Sequence, residues 1–201
     1  MMKKLLLLAT VFIASATAFA QHEVGSLTIQ PKVGLSIANL TDADDADPRL
    51  GLAFGAEFEY QITNKFSMSA GALYSMQGAK SSADVSGVNA KMTAKMDYIN
   101  IPILANVYVA EGLAVKVGIQ PGFNVSSKYK VSAQGTDISG NLSDMDMDIK
   151  TLDFSIPIGV SYEVNNFVID GRYNLGVTKV TDGGDSKNSV FQFTVGYKFD
   201  L

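Results

Sequence analysis

Apolar and polar residues alternate along most of this chain, in eight separate segments. In one of them Ile169, Tyr173 and Leu175 alternate with Asp170 and Arg172. A period of two predicts a β-strand with two unlike faces, and no 3.6-residue period persists long enough to predict a helical bundle. All eight segments reach the ~9–11 residues that a tilted membrane strand requires. They are residues 26–37, 50–62, 66–77, 97–109, 113–125, 152–163, 167–178 and 190–201.

The connections between these segments alternate in length. Three have tight-turn compositions, namely residues 63–65, 110–112 and 164–166. The other four are long and rich in Asp, Ser, Gly and Asn, namely residues 38–49, 78–96, 126–151 and 179–189. Short turns on one rim and long loops on the other are typical of a bacterial outer-membrane barrel. The pattern predicts an all-β fold, an eight-stranded antiparallel up-and-down transmembrane β-barrel, with both termini on the periplasmic side.

The composition of the polar face indicates which side of the sheet is outside. A face in contact with water would carry many Lys and Glu residues, but this one consists largely of Gly, Ala, Ser, Asn and Gln. The lumen of an eight-stranded barrel is just wide enough for side chains to fill. We therefore expect the apolar row to contact lipid and the small polar row to face the lumen. A soluble periplasmic lipocalin-like barrel, with the two faces exchanged, is the alternative architecture.

Nine charged residues occupy the predicted inward face. Five acids and four bases are close to neutral, as expected if each buried charge needs an opposite partner. We predict a polar network that fills the barrel; an ion or proton path along it is the alternative. The nine are Lys32, Glu57, Glu59, Lys116, Asp153, Glu163, Asp170, Arg172 and Lys198.

Two residue types on the strands carry further expectations. Aromatic residues lie near both ends of the apolar face, as expected where a membrane meets water on both sides. Proline removes a donor from the strand ladder, so we expect a bulge at each proline inside a strand. These prolines are Pro31, Pro102, Pro121 and Pro157.

The N-terminus resembles a secretory signal. Lys3 and Lys4 precede an apolar run that is too short to span a bilayer, and Ala18-Phe19-Ala20 fits a cleavage site. We therefore predict a signal peptide over residues 1–20 and a barrel domain over residues 21–201. Removing the two lysines leaves 14 basic residues against 20 acidic ones, a formal charge of −6, which argues against a nucleic-acid partner.

Little in the composition favours catalysis. The chain has no cysteine and a single histidine, His22, which we expect in a disordered terminus. A catalytic triad needs its base held rigidly by a third group. The sequence contains no phosphate-binding glycine loop, histidine-based metal motif or nucleophile elbow. We predict no enzyme activity, no cofactor and no metal site.

Two groups of loop residues are candidate contact sites. One is an acidic run that could contact a cation, although it lacks the Gly and Glu of an EF-hand and a solvated loop is the alternative. It contains Asp42, Asp44, Asp45 and Asp47. The other group could contact lipopolysaccharide phosphates, or consist of ordinary surface lysines. It contains Lys80, Lys91, Lys95, Lys128 and Lys130.

Four stretches resemble the outer-membrane β-barrel family of Bacteroidetes-type bacteria, the PorT-like group often called porin family proteins. They are DYINIPILANVYV (97–109), VGIQPGFNV (117–125), IDGRYNLGVTKV (169–180) and FQFTVGYKF (191–199). The resemblance implies an eight-stranded barrel of the OmpA/OmpX kind in the outer membrane. It also implies a C-terminal strand read by the outer-membrane assembly machinery, although Asp200 and Leu201 follow the final aromatic, Phe199. Members of the family have been tied to secretion and gliding.

These observations leave several hypotheses for the function. The first is an integral outer-membrane protein, structural or weakly pore-forming, that contacts outer-membrane lipid and lipopolysaccharide. The second is a surface-exposed binding or adhesion module that acts through the long loops. The third is a soluble ligand-binding barrel.

Overall fold

A computed structural model describes residues 22–41, 46–85, 88–133, 136–145, 147 and 149–201. It contains eleven strands and one short 3₁₀ turn, Leu142–Met145. The strands are β1 (Leu27–Leu40), β2 (Ala46–Thr63), β3 (Phe66–Val85), β4 (Val88–Asn100), β5 (Ile103–Ala110), β6 (Leu113–Ala133), β7 (Thr136–Asn141), β8 (Leu152–Val164), β9 (Phe167–Gly176), β10 (Asn188–Tyr197) and β11 (Phe199–Asp200).

Ten of the eleven strands form a closed antiparallel ring of eight ring strands. β4 and β5 are two parts of one ring strand, as are β10 and β11, whereas β7 pairs with β6 outside the ring. Closure occurs at β1, where Val33 pairs with Phe54 of β2 on one side and with Val195 of β10 on the other. The predicted fold class, an eight-stranded up-and-down barrel, is confirmed. Closure leaves the ring without a free edge, as a membrane-spanning sheet requires.

The orientation of the two faces follows the prediction. Phe54 and Phe193 are 47% and 54% exposed, whereas Glu57 and Arg172 are 1% and 4% exposed. Such a surface is unfavourable in water and favourable in lipid, because the bilayer core accepts apolar side chains but no unpaired charge. The outward aromatic residues also contact one another, with ring centroids 4.5 Å apart for Tyr173 and Phe191.

Three of the four predicted long loops are largely strand among the described residues. In the first of them, residues 38–49, β1 runs to Leu40 and β2 starts at Ala46. β3 and β4 continue as a hairpin through most of residues 78–96, with Ala79 opposite Ala94 and Lys80 opposite Thr93. β6 continues to Ala133 and pairs there with β4 and β7. The alternation of apolar and polar residues fades in these extensions because only the hydrocarbon core of a bilayer requires an apolar outward face. The sequence pattern therefore ends before the hydrogen-bonded strands do.

The predicted bulges at the four strand prolines are wrong. On both sides of Pro102 the pairing keeps one register, since Asn100 lies opposite Leu73 and Ile103 opposite Ala70. The carbonyl of Pro102 still accepts a bond from Gly71, so only the donor is lost. Register shifts occur elsewhere, between residues 48 and 53, 61 and 63, 97 and 98, and 108 and 110.

The short turns match their compositions. Asn165 and Asn166 join β8 to β9 with φ values of 48° and 68°, the left-handed region that asparagine tolerates better than most residues. Gly112, with φ of 68°, has the same role before β6. Both ends of the described chain lie at this turn rim, since Leu201 N donates to Leu27 O at 3.0 Å.

Candidate functional site in the barrel lumen

All nine predicted inward charges have buried side chains, none more than 7% exposed. They project from six of the eight ring strands: β1, β2, β6, β8, β9 and the β10–β11 strand. Alternation places each of them inward because its chain neighbours carry the apolar groups that contact lipid. The structure divides the nine into two ion clusters and one separate carboxylate.

The central cluster is Lys32, Glu57, Lys116, Asp170 and Arg172. Arg172 Nε donates to Asp170 Oδ1 at 2.9 Å, and its Nη1 lies 2.9 Å from Glu57 Oε1. Lys32 Nζ donates to Glu57 Oε2 at 2.8 Å, and Lys116 Nζ lies 3.1 Å from Asp170 Oδ2. Three bases and two acids give the cluster a formal charge of +1. These contacts join β1 and β2 to β6 and β9 across the lumen.

The turn-side cluster is Glu59, Glu163 and Lys198, with Tyr108. Lys198 Nζ lies 2.7 Å from Glu163 Oε2 and 3.1 Å from Glu59 Oε2. The Tyr108 hydroxyl donates to Glu59. The two acids and one base give a formal charge of −1, opposite to that of the central cluster.

His22 contacts the turn-side cluster at the end of the lumen nearest the turns. Its Nε2 lies 3.0 Å from Glu163 Oε1, and its Nδ1 lies 2.7 Å from Asp200 Oδ1. The hydrogen bond to Glu163 raises the pKa of His22 above its ordinary value, against the opposing effect of burial. The expectation of a disordered terminus is wrong at this residue, because two carboxylates hold the ring. Since both partners are acids, the contacts suit an imidazolium ion.

Asp153 joins neither cluster. It accepts a hydrogen bond from Thr178 Oγ1 at 2.7 Å and lies 3.3 Å from the side-chain nitrogen of Asn188. No salt bridge to Asp153 occurs among the described residues. The lumen around it is neutral and polar, with Gln120 donating to Ser155 at 3.1 Å. A balance of five acids against four bases therefore does not mean one continuous network.

An apolar plug lies at the end of the lumen away from the turns, a feature that the sequence pattern did not predict. Met96, Tyr98, Leu142 and Val180 are all less than 5% exposed and pack together. Four partly buried residues surround them: Leu40, Ala94, Tyr129 and Ile149. Met96 and Tyr98 occupy inward positions of β4, so the alternation could have predicted that they are buried. Leu142 and Val180 come from connections without periodicity, so no pattern predicted their burial. The plug covers the polar lumen with apolar side chains.

The acidic run can be followed only in part. Asp42, Asp44 and Asp45 lie outside the described residues, and Asp47 lies opposite Lys80 across β2 and β3. Within the described ranges, no group of three or more His, Asp or Glu side chains is arranged to hold a metal ion. No helix in this part of the chain is long and apolar enough to cross a membrane.

A sequence model of the outer membrane protein beta-barrel domain matches residues 19–182. The chain belongs to this outer-membrane β-barrel family. Membership supports an outer-membrane location and agrees with the lipid-facing surface of the ring. The finer PorT-like assignment stays a prediction.

Several solved outer-membrane proteins are similar to this chain. The attachment invasion locus protein Ail of Yersinia pestis is 18% identical, with 88% of this chain and 100% of that chain covered and a TM-score of 0.43. OprG from Pseudomonas aeruginosa is 13% identical, with coverage of 90% and 99% and a TM-score of 0.44. The Neisserial surface protein NspA is 15% identical, with coverage of 87% and 97% and a TM-score of 0.46. No curated protein sequence matches this family member.

Proposed function

We propose that this protein is a non-enzymatic structural barrel of the outer membrane whose lumen does not conduct. The observation that carries the proposal is the filled interior. The two ion clusters tie ring strands together across the lumen, and the apolar plug covers its far end. A conducting path would have to break ion pairs that are expensive to leave uncompensated in a buried site.

Planar-bilayer recording tests this proposal. The wild-type protein, refolded and inserted at known amounts, is expected to give no large, stable open level. Slower migration of boiled than of unboiled samples on a gel provides the control for insertion of folded barrels. A Leu142→Ala variant removes part of the plug but leaves both ion clusters, so it should also remain closed. Stable conductance by the wild-type protein would contradict the proposal.

We further propose that both termini face the periplasm and that the strand extensions lie outside the cell. This orientation is supported by the turn rim, which carries both chain ends, and by the predicted signal peptide over residues 1–20, which lies outside the described residues. The assembly machinery would then meet the C-terminal strand from the periplasm. Phe199 of β11 pairs with Ile29 of β1, so this strand closes the ring.

A second candidate function is binding of a partner outside the cell. The observation that favours it is the position of β7, which pairs with β6 and has no second neighbouring strand among the described residues. Its Ile138 is 60% exposed. An open strand edge can accept a strand from another chain. A photoreactive residue at position 138 should then form cross-links on intact cells that the same residue at position 183 does not form; equal labelling would exclude the idea.

A further inference from the structure

Four lysines lie on the outward face of the sheet, on the side opposite both termini. They lie beyond the apolar band, the belt of outward apolar residues that faces lipid. They come from β4 and β6 and are Lys91, Lys95, Lys128 and Lys130. Met96 and Tyr98 of β4 are 1% exposed and point into the plug, so the odd-numbered residues between and before them point outward. Lys95 lies directly opposite Lys128, and Lys130 lies one pair further along, opposite Thr93. The lysines therefore share one face.

The Lys95–Lys128 pair places two like charges opposite each other. Like charges directly opposite each other on paired strands are destabilising. An anion between the two ammonium groups would offset this repulsion. The nearby acids already have partners: Asp137 contacts Lys130 at 2.9 Å, and Asp97 accepts a hydrogen bond from the Tyr74 hydroxyl at 2.9 Å. Among the described residues, no carboxylate lies within salt-bridge distance of Lys95 or Lys128. An anion placed between these two lysines would therefore belong to another molecule or to residues outside the described ranges.

The height of the pair above the apolar band indicates which anion is within reach. Ile99 and Phe123 pair with each other, are 40% and 42% exposed, and belong to the band. Lys95 is four residues further along β4, which at ~3.4 Å per residue and a tilt of ~40° is about 10 Å higher. The headgroup layer extends roughly 5–8 Å beyond the hydrocarbon core. Lysine side chains can bend toward such a layer along their apolar stems.

We infer that Lys95 and Lys128 bind the phosphate groups of lipid A, the phosphorylated anchor of lipopolysaccharide. This inference rests on the proposed orientation, which places the pair in the outer leaflet. A phosphate between the two ammonium groups removes their repulsion and accepts a hydrogen bond from each. Other lysines of the same rim are differently placed, since Lys150 contacts Asp182 at 2.8 Å and Lys179 contacts Asp185.

The test compares two double variants of the full barrel in detergent micelles. Lys95→Gln/Lys128→Gln removes the proposed site, and Lys150→Gln/Lys179→Gln removes the same charge from lysines that already have carboxylate partners. Binding of purified lipid A is measured by titration, after a gel-shift assay has shown that each variant is folded. Each lysine near an anionic membrane surface contributes about a factor of five in affinity, so loss of the pair should weaken binding roughly 30-fold. The control should bind like the wild-type protein.

Three further arms identify the source of the phosphate and separate the site from the orientation. Dephosphorylated lipid A should bind the wild-type protein as weakly as phosphorylated lipid A binds the Lys95→Gln/Lys128→Gln variant. Inorganic phosphate at the same concentration as lipid A should not displace lipid A from the wild-type protein. Equal binding by the two double variants, equal binding of dephosphorylated lipid A, or effective competition by inorganic phosphate would overturn the inference. A Ser139→Cys variant, in a chain with no other cysteine, should react with a membrane-impermeant maleimide on intact cells. Failure of that labelling alone would overturn the outer-leaflet source and the proposed orientation, whereas the phosphate contact measured in micelles would stand.

Discussion

Removing the Glu57 carboxylate should destabilise the barrel more than any neutral lumen substitution. Glu57 lies between Lys32 at 2.8 Å and Arg172 at 2.9 Å, with its side chain 2% exposed. In a Glu57→Gln variant, the three bases of the central cluster would face Asp170 alone, and the formal charge would rise from +1 to +2. Removing one member of a buried ion pair costs about 3–5 kcal/mol because the remaining charge loses its compensation.

A second substitution, at Arg172, shows whether Glu57 and Arg172 stabilise the barrel as a pair. Adding Arg172→Met to Glu57→Gln returns the cluster to a formal charge of +1, with Lys32 and Lys116 around Asp170. The double variant should therefore be more stable than the sum of the two single effects predicts, by about 0.5–3 kcal/mol, the usual range for residues in direct contact. An additive double variant would show that the two side chains do not act as a pair.

The assay is urea unfolding of barrels refolded into phospholipid vesicles, followed by the mobility of unboiled samples on a gel. Gln192→Met is the matched control, because Gln192 is an equally buried lumen residue that donates one neutral hydrogen bond, to Ser75 at 3.0 Å. Its loss should cost about 1 kcal/mol. If Glu57→Gln and Gln192→Met shared one free energy of unfolding, the central cluster would contribute nothing beyond ordinary polar packing.

Three further predictions concern other parts of the barrel. Because its pKa is raised, His22 should contribute stability that is fully present below about pH 6.5 and is lost as the pH rises through the folded-state pKa; urea midpoints across pH 5–9 should show this loss in the wild-type protein and not in His22→Gln. Gly34→Ala should reduce the folded fraction on gels, since an added Cβ would lie 1.9 Å from the Phe193 carbonyl oxygen at the closing seam, whereas Gly183→Ala, with nothing within 4 Å, should be neutral. Leu142→Ala should weaken the plug by about 2–5 kcal/mol and speed tryptic cleavage after Lys150 without changing the gel shift of the barrel; unchanged cleavage would show that Leu142 does not anchor this connection.

The strand cores and the orientation of their faces were predictable because each depends on a local rule. A residue two positions from Phe193 points the same way as Phe193, and lipid accepts only the apolar row. The predicted strand ends were wrong where the outward face is not required to be apolar. The extensions of β3, β4 and β6 lie beyond the apolar lipid-facing surface of the ring, and the strands keep their hydrogen bonds there although the alternation has ended. The bulge expected at Pro102 came from a different rule, the loss of a hydrogen-bond donor at proline. One missing donor did not require a change of register.

The eight ring strands, the lipid-facing surface and the set of inward charges follow from the amino-acid sequence alone. Which of those charges form ion pairs depends on the folded barrel. Arg172 reaches Glu57, 115 residues away in the chain, Asp153 is left without a base among the described residues, and Leu142 and Val180 close the far end. The physical reason is that facing is set by the geometry of one strand, whereas side-chain partners across a lumen depend on the register and tilt of several strands that are distant in sequence.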